Sequence, residues 1–436
     1  MYVAARGAHV TISDVKSAEQ LTDAVAELAC YDVRWVLGGH PEDILDCDVL
    51  FVSPGVRMEI PIIQEAIRRG ICVSAESRFF LERCPAPVIG ITGSSGKTTT
   101  VTLTGEILRR AGLTTWVGGN IGTPLTPHLD EIRTEDKVVM ELSSFQLENL
   151  PVSPVIAAIL NITPNHLDRH ASMGDYVQAK ANIMRHQQPD DVAVLGYDNE
   201  ITRALAQTAP GRVTFFSMTE EVAQGAFLRG AQIVLRLEGM EQHIGAVRDV
   251  RLRGRHNVAN VLAACTLATL AGANRQSIAE VIFSFEGVEH RLEFVREIGG
   301  VRYYDDSIAT TPERATAALL AFGEPIVLLA GGQDKHLPWG ELAQLMLDRT
   351  RGIVLFGQAA GIIEAALAET MQQRRWSAAD APAIRRVVTL EEALQEASRL
   401  AQAGDVVLLS PGGTSYDAFK DFTVRGDRFK ELVEAL

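Results

Sequence analysis

No apolar run in this 436-residue sequence reaches the roughly 20 residues that a helix needs to cross a bilayer, so no membrane insertion is expected. The first residues, Met1-Tyr2-Val3-Ala4-Ala5-Arg6-Gly7, lack a charged leader followed by an apolar stretch and a cleavage site. No secretory signal is read there, and a cytoplasmic location is expected. Cysteine is sparse. Cys30, Cys47, Cys72, Cys84 and Cys265 are scattered, odd in number and without a Cys-x-x-Cys pair, which argues against a disulfide framework or a metal knuckle and for reduced thiols. Positive charge is also short: 41 Lys and Arg face 55 Asp and Glu, a formal net charge of −14. That balance disfavours a nucleic-acid partner, although local glycine loops and basic residues still suit an anionic small molecule. Internal repeats and low-complexity segments are missing as well.

The length calls for two or three domains, because one hydrophobic core seldom serves so long a chain. Strand-like apolar runs alternate with helical patterns throughout, which predicts an α/β protein. Three blocks separate, at 1–75, 76–287 and 288–436. The first contains Ala8-His9-Val10-Thr11-Ile12-Ser13-Asp14, a strand ending in an acid, and Val49-Leu50-Phe51-Val52-Ser53-Pro54-Gly55, a strand entering a turn. The strand and Gly-rich turn that open a nucleotide-binding unit are absent before Val10, so the first block reads as an incomplete Rossmann-like domain. In the second block, Val88-Ile89-Gly90-Ile91-Thr92 is a strand feeding a glycine loop, with helix-forming Leu103 to Ala111 beyond it. Further strands are expected at Val138 to Glu141, Val155 to Ile162 and Val192 to Leu195. The third block has strands at Ile326 to Gly332, Ile353 to Gly357 and Val406 to Gly413. Glycine at the carboxyl end of parallel strands is where open α/β sheets place ligands.

Gly93-Ser94-Ser95-Gly96-Lys97-Thr98 lies between a strand and a helix, the context that a phosphate loop requires. Glycines let backbone N–H groups turn toward phosphate oxygens, and the following helix aims its positive end at the same anion. Lys97 would neutralise the β- and γ-phosphates of ATP, and Thr98 would offer a hydroxyl to Mg²⁺. Ile91 stands where the first glycine of the common motif belongs. Glu141 ends an apolar strand and is a candidate metal ligand. His166, in Asn161-Ile162-Thr163-Pro164-Asn165-His166-Leu167-Asp168, and Lys180, on an expected helix, would each read by themselves as solvated residues.

Glu141-Leu142-Ser143-Ser144-Phe145-Gln146-Leu147-Glu148, with the phosphate loop, Gly118-Gly119-Asn120-Ile121-Gly122, the His166 segment and Gly254-Arg255-His256-Asn257, resembles the Mur ligases of peptidoglycan synthesis. Asp306-Ser307-x-Ala309-Thr310, Gly331-Gly332-Gln333-Asp334-Lys335 and Ser410-Pro411 are similar to the members that add D-glutamate. The resemblance runs in order from about Asp14 to the end. It implies three domains, binding UDP, ATP and an amino acid; a monomer is expected. It also implies small-molecule substrates, UDP-N-acetylmuramoyl-L-alanine and D-glutamate, joined through an acyl phosphate made from ATP.

Carried over by position, the resemblance gives Gly93, Ser94, Ser95, Gly96, Lys97, Thr98, Thr99, Asn257, Asn260, Arg291 and Asp306 to ATP. It gives Thr98, Glu141, His166 and a carbamylated Lys180 to Mg²⁺, with Lys97, Lys180 and His166 catalytic. Asp14, Lys16, Gly55, Asn120 and Gln146 fall to the UDP-sugar substrate, and Thr310, Lys335, Ser415, Tyr416 and Phe422 to D-glutamate. Ile308 stands where some members carry a lysine for the D-glutamate side chain. Ile308 keeps open a related ligase adding another amino acid or a folate-like glutamate, and the abbreviated amino terminus keeps open a truncated, non-catalytic nucleotide-binding protein.

Overall fold

All five residues of the strand Val88–Thr92 are buried, as a Val/Ile run inside a parallel sheet should be. The computed structural model describes residues 2–53, 56–120, 124–164, 172–335, 337–377 and 381–436. Their contacts form two units, Met1–Val247 with Ala259–Ile282, and Arg248–Val258 with Phe283–Leu436.

In the first unit, β1 (Val10–Asp14) pairs in parallel with β2 (Val33–Leu37), and β3 (Val49–Phe51) pairs in parallel with β4 (Cys72–Ser74). No described strand joins the two pairs. Isolated two-stranded sheets are marginal, and here Val49 and Phe51 are exposed. The segment leans on the helix Glu76–Arg83, where Phe79 takes the rings of Tyr2 and Phe51 edge-on at 5.9 and 5.6 Å.

The main sheet of this unit is formed by β5 (Val88–Thr92), β6 (Thr115–Gly119), β7 (Lys137–Glu141), β8 (Ile156–Ile159), β9 (Val192–Gly196) and β10 (Arg212–Phe216). Its order is β10-β9-β8-β5-β7-β6, and every neighbouring pair is parallel. The chain leaves β5 toward β6 on one side and later returns to β8 on the other. That reversal opens a crevice at the carboxyl ends of β5 and β8. Val138, Met140, Ala157 and Ile159 pack with Tyr176, Ile183 and Met184 of the helix Met173–Arg185 on one face. An antiparallel ribbon of β11 (Gly225–Arg229), β12 (Gln232–Leu237) and β13 (Met240–Ala246) follows.

The second unit has a sheet in the order β14-β15-β19-β16-β17-β18. Its strands are β14 (Glu293–Ile298), β15 (Val301–Asp305), β16 (Ile326–Gly331), β17 (Thr350–Phe356), β18 (Ala383–Arg386) and β19 (Val406–Gly412). β14 is antiparallel to β15 and the rest are parallel. Alternate residues serve opposite faces. Leu328, Ala330, Ile353, Leu355 and Leu408 meet Leu342 and Met346, whereas Val327, Leu329, Val354, Val407 and Leu409 meet Leu394 and Phe429. This period of two, buried on both sides, marks a doubly wound layer. No described helix is long and apolar enough to cross a membrane.

Candidate active site

The glycine loop leaves β5 and enters the helix Lys97–Arg110 directly. The helix starts six residues before the stretch that sequence singled out, because Gly96 adopts a left-handed conformation (φ 83°) and serves as its N-cap. A Cβ on Gly96 would overlap Asn260 Oδ1, so the glycine also lets Asn260 pack against the loop.

The two serines are held by the segment after β8. Ser94 N–H donates to Asn161 O at 2.9 Å, and Ser95 N–H donates to Asn161 Oδ1 at 3.0 Å. Ser94 Oγ donates to Thr163 O, accepts from Thr163 N–H and meets Tyr176 Oη, each at 3.0 Å. Asn161 and Tyr176, which sequence reasoning did not assign, therefore set the shape of the loop. The first helical turn, which includes Lys97, Thr98 and the buried Thr99, supplies the N–H groups that a helix start leaves without intrahelical partners.

Two lysines converge on one backbone oxygen. Lys97 Nζ and Lys180 Nζ each donate to Gly93 O at 2.9 Å. Lys180 is 2% exposed and also reaches Thr92 Oγ1 at 3.4 Å. Burial, then the charge of Lys97, pushes its pKa down to about 6, against a small upward pull from Glu141. Near neutral pH Lys180 is therefore largely an uncharged amine.

Glu141, 3% exposed at the end of β7, accepts from Thr98 Oγ1 at 2.8 Å and from Asn120 Nδ2 at 3.0 Å. Asn120 N–H also donates to Glu141 O at 2.8 Å. A Cβ on Gly119 would overlap that carbonyl, so the glycine lets the end of β6 lie against β7. Gln146 caps its own helix, its Oε1 accepting from Ser143 N–H and Oγ–H at 2.9 Å each. Asp14 accepts Lys16 N–H at 2.8 Å through its carboxylate, and Lys16 is exposed. His166 and Gly55 lie outside the described residues, as do Ile121 and Gly122.

In the second unit, Asp306, Lys335 and Ser415 follow the carboxyl ends of the neighbouring strands β15, β16 and β19. Asp306 is buried and accepts from Ser410 Oγ at 2.7 Å and from Leu292 N–H at 3.2 Å. Burial nevertheless raises its pKa to about 7, outweighing Ser410 and the charge of Arg291. Asn257 Nδ2 donates to Arg253 O at 2.7 Å. Lys335 is exposed at its surface, yet partial desolvation and the neighbouring charge of Arg314 lower its pKa. Ser415 is buried and Tyr416 is 69% exposed. Phe422 O accepts from Ser307 Oγ, and Thr310 N–H donates to Ile308 O, each at 2.8 Å. Arg425 is fully buried, donating to Ser307 Oγ, Ser307 O and Gly413 O at 2.9, 2.8 and 3.2 Å.

A glycine loop at a helix start, a neighbouring strand-end acid and a buried lysine thus stand together beyond β5. Comparison with known proteins names the family. The Mur ligase MurD-like N-terminal domain matches residues 1–75, the Mur ligase middle domain residues 91–268, and the Mur ligase glutamate ligase domain residues 290–413. The chain belongs to the Mur ligase family. UDP-N-acetylmuramoylalanine–D-glutamate ligase of Symbiobacterium thermophilum is 46% identical over 100% of this chain and 94% of that protein. The protein of the same name from Acetivibrio thermocellus is 42% identical, over 100% and 93%. UDP-N-acetylmuramate-alanine ligase MurC of Thermotoga maritima has the same fold, with a TM-score of 0.61 at 20% identity over 100% of this chain and 96% of that one. MurF ligase of Thermotoga maritima, solved in complex with ADP, matches with a TM-score of 0.54 at 19% identity over 90% and 99%. This Mur ligase thus has the three-domain α/β architecture of its family and is an ATP-dependent, amide-forming enzyme.

Two stability predictions follow from the geometry. Gly96→Ala puts a side chain onto Asn260 at a positive φ and should destabilise the protein by about 1–3 kcal/mol, read by urea unfolding. For Asp306, a pKa raised on folding adds stability that is complete below its ordinary value of 3.8 and is lost as pH rises through about 7. Asp306→Asn should therefore melt above the parent at pH 8, with the margin shrinking toward pH 4. Equal melting temperatures at pH 8 would contradict the burial argument.

Proposed function

We propose that this Mur ligase joins D-glutamate to UDP-N-acetylmuramoyl-L-alanine at the expense of ATP, as a cytoplasmic monomer with domains at 1–75, 76–287 and 288–436. The observation that carries the reading is the convergence of Lys97, Lys180, Thr98 and Glu141 on the loop after β5. It occurs in a chain whose relatives, matched along their length, bear that activity in their names.

A carboxylate is a poor electrophile, and ATP supplies the leaving group that it lacks. An oxygen of the L-alanine carboxylate attacks the γ-phosphorus; the bond to the β,γ-bridging oxygen breaks and ADP leaves. The α-amine of D-glutamate, having lost its extra proton, attacks the acyl carbon of the resulting acyl phosphate. The tetrahedral adduct loses its remaining ammonium proton to solvent and collapses to the amide, releasing inorganic phosphate. Lys97 and the N–H groups of Gly96 through Thr99 neutralise the phosphates, with Ser94 and Ser95 shaping their cradle. Asn257, Asn260, Arg291 and Asp306 are the proposed contacts to the rest of ATP. Asp14, Lys16, Gly55, Asn120 and Gln146 are assigned to the UDP-sugar substrate. Thr310, Lys335, Ser415, Tyr416 and Phe422 are assigned to D-glutamate, with Lys335 pairing with a carboxylate.

The Glu141 carboxylate beside the Thr98 hydroxyl is an oxygen donor set of the kind Mg²⁺ takes. Thr98, Glu141 and a carbamylated Lys180 would hold the ion, with His166 a further ligand. When bound, it would offset phosphate charge. The lowered pKa of Lys180 leaves a nucleophilic amine. Its nitrogen would bond to the carbon of CO₂ and release a proton, turning a cation into an oxygen ligand.

Phosphate release from purified protein should require both D-glutamate and UDP-N-acetylmuramoyl-L-alanine; equal release without either rejects the assignment. Lys97→Ala should slow turnover by roughly 10²–10³, as loss of other preorganised charge contacts does, and near-normal turnover would remove its role. Exposure to ¹³CO₂ should give a carbamate carbon resonance that Lys180→Ala lacks; identical spectra would leave Lys180 unmodified.

A further inference from the structure

We propose that His290 is a positioning residue that holds Arg291 for the nucleotide, acting through Asp305. The inference rests on the reading of Arg291 as an ATP contact. Arg291 stands between two non-glycine residues in the left-handed region, His290 at φ 59° and Leu292 at φ 46°. L side chains disfavour that conformation, and such residues persist where their surroundings over-determine them.

The bonds that hold this turn are on every side of Arg291. Its own N–H donates to Val288 O at 3.0 Å. His290 N–H donates to Glu293 Oε2 at 2.7 Å, and His290 O accepts from Ile308 N–H at 3.1 Å. Leu292 N–H donates to Asp306 Oδ1 at 3.2 Å. To these backbone anchors His290 adds a contact between side chains, its Nδ1 lying 2.7 Å from Asp305 Oδ2. Asp305 is in turn fixed by Ser307 N–H, which donates to its other oxygen at 2.8 Å. The adjacent acids therefore divide the work, Asp305 holding the residue before Arg291 and Asp306 the residue after it.

The imidazole is 3% exposed and Asp305 0%, so His290 is placed to act through its neighbour rather than on a ligand. The helix Phe422–Glu434 makes room for the pair: a Cβ on Gly426 would overlap both His290 Nδ1 and Asp305 Oδ2. His290 Nε2 has no hydrogen-bond partner among the described residues; Asp427 Oδ1 lies 3.7 Å away. A ring kept for packing alone would not need to bury an unsatisfied nitrogen, which points to the Nδ1 contact as the reason for the histidine. The charged groups facing it are Asp305 on β15, Glu293 on β14, and Asp427 and Lys430 on the final helix. Burial lowers its pKa, but Asp305 more than offsets this.

Two substitutions separate the Nδ1 contact from bulk. Asn places its amide nitrogen where Nδ1 stands and is the side chain that best tolerates positive φ; Gln places its amide nearer Nε2. In full-length protein, with phosphate release measured against ATP concentration, His290→Gln should raise the KM for ATP at least tenfold. The KM for D-glutamate should move less than threefold. His290→Asn should stay within threefold of the parent for both. Arg291→Ala should raise the KM for ATP, and adding His290→Gln to it should change that value less than twofold. Calorimetric melting of each variant reports folding. If Arg291→Ala leaves the KM for ATP unchanged, Arg291 is not a nucleotide contact and the reading beneath the inference falls. If Arg291→Ala raises it but His290→Gln does not, or the two effects multiply, or His290→Asn fails to rescue, the positioning role falls while the nucleotide contact stands.

Discussion

The carbonyl oxygen of Gly93 accepts from two lysine nitrogens at once, and much of the first unit is arranged around that contact. Two unit charges about 4 Å apart repel by roughly 4 kcal/mol at a near-surface dielectric, so both lysines cannot comfortably stay protonated beside one buried oxygen. Lys180, buried and beside Lys97, has its pKa pushed down to about 6. The shared oxygen must also stay where it is. Asn161, Thr163 and Tyr176 hold the loop from the β8 side, and Thr98 ties it to Glu141 on the β7 side. The chemistry of the site is thus set by a backbone atom that no side-chain inventory would name.

Strand order explains why these groups meet. β5 lies between β7 and β8, so its carboxyl end is flanked by a strand-end acid on one side and by the Asn161 segment on the other. The second unit repeats the device with β19 between β15 and β16. That order gathers Asp306, the Gly331–Lys335 segment and Ser415 at neighbouring strand ends. In both sheets the alternating apolar residues bury two faces and leave the strand ends to polar residues, so the rigid layer and the reactive rim come from the same pattern.

This is why the α/β class, the glycine loop after Val88–Thr92 and the strand-end position of Glu141 were legible: each is local in sequence. The antiparallel ribbon β11–β13 and the hairpin β14–β15 were not read, because polar residues break their apolar pattern, as in Met240–Ala246 and Glu293–Ile298. Contacts across long separations were illegible for a different reason. Asn161 beside Ser95, and His290 beside Asp305, join residues whose spacing carries no period. Gln146 shows the converse. Beside the substrate contact proposed for it, its side-chain carbonyl closes a capping box with Ser143, a signal that the Ser-x-x-Gln spacing itself contains. The helix start at Lys97 was likewise obscured by threonines of modest helix propensity, which a left-handed Gly96 and the loop geometry override.

The second unit shows what such an arrangement costs. Asp305 and Asp306 are adjacent, buried acids, and Arg425 is a buried cation whose pKa is lowered to about 10 by burial, against the pull of Asp417, Asp305 and Asp306. Buried charges of this kind stabilise a fold less well than apolar residues of similar size, and the left-handed residues beside Arg291 add strain. The compensation is distributed over the sheet, whose central strands Ile326–Gly331 and Val406–Gly412 expose almost nothing. A stiff layer of that kind can sustain an unfavourable rim. It is the reason the polar network stands at the strand ends, where it can meet a ligand, and is absent from the middle of the sheet, where it could only destabilise.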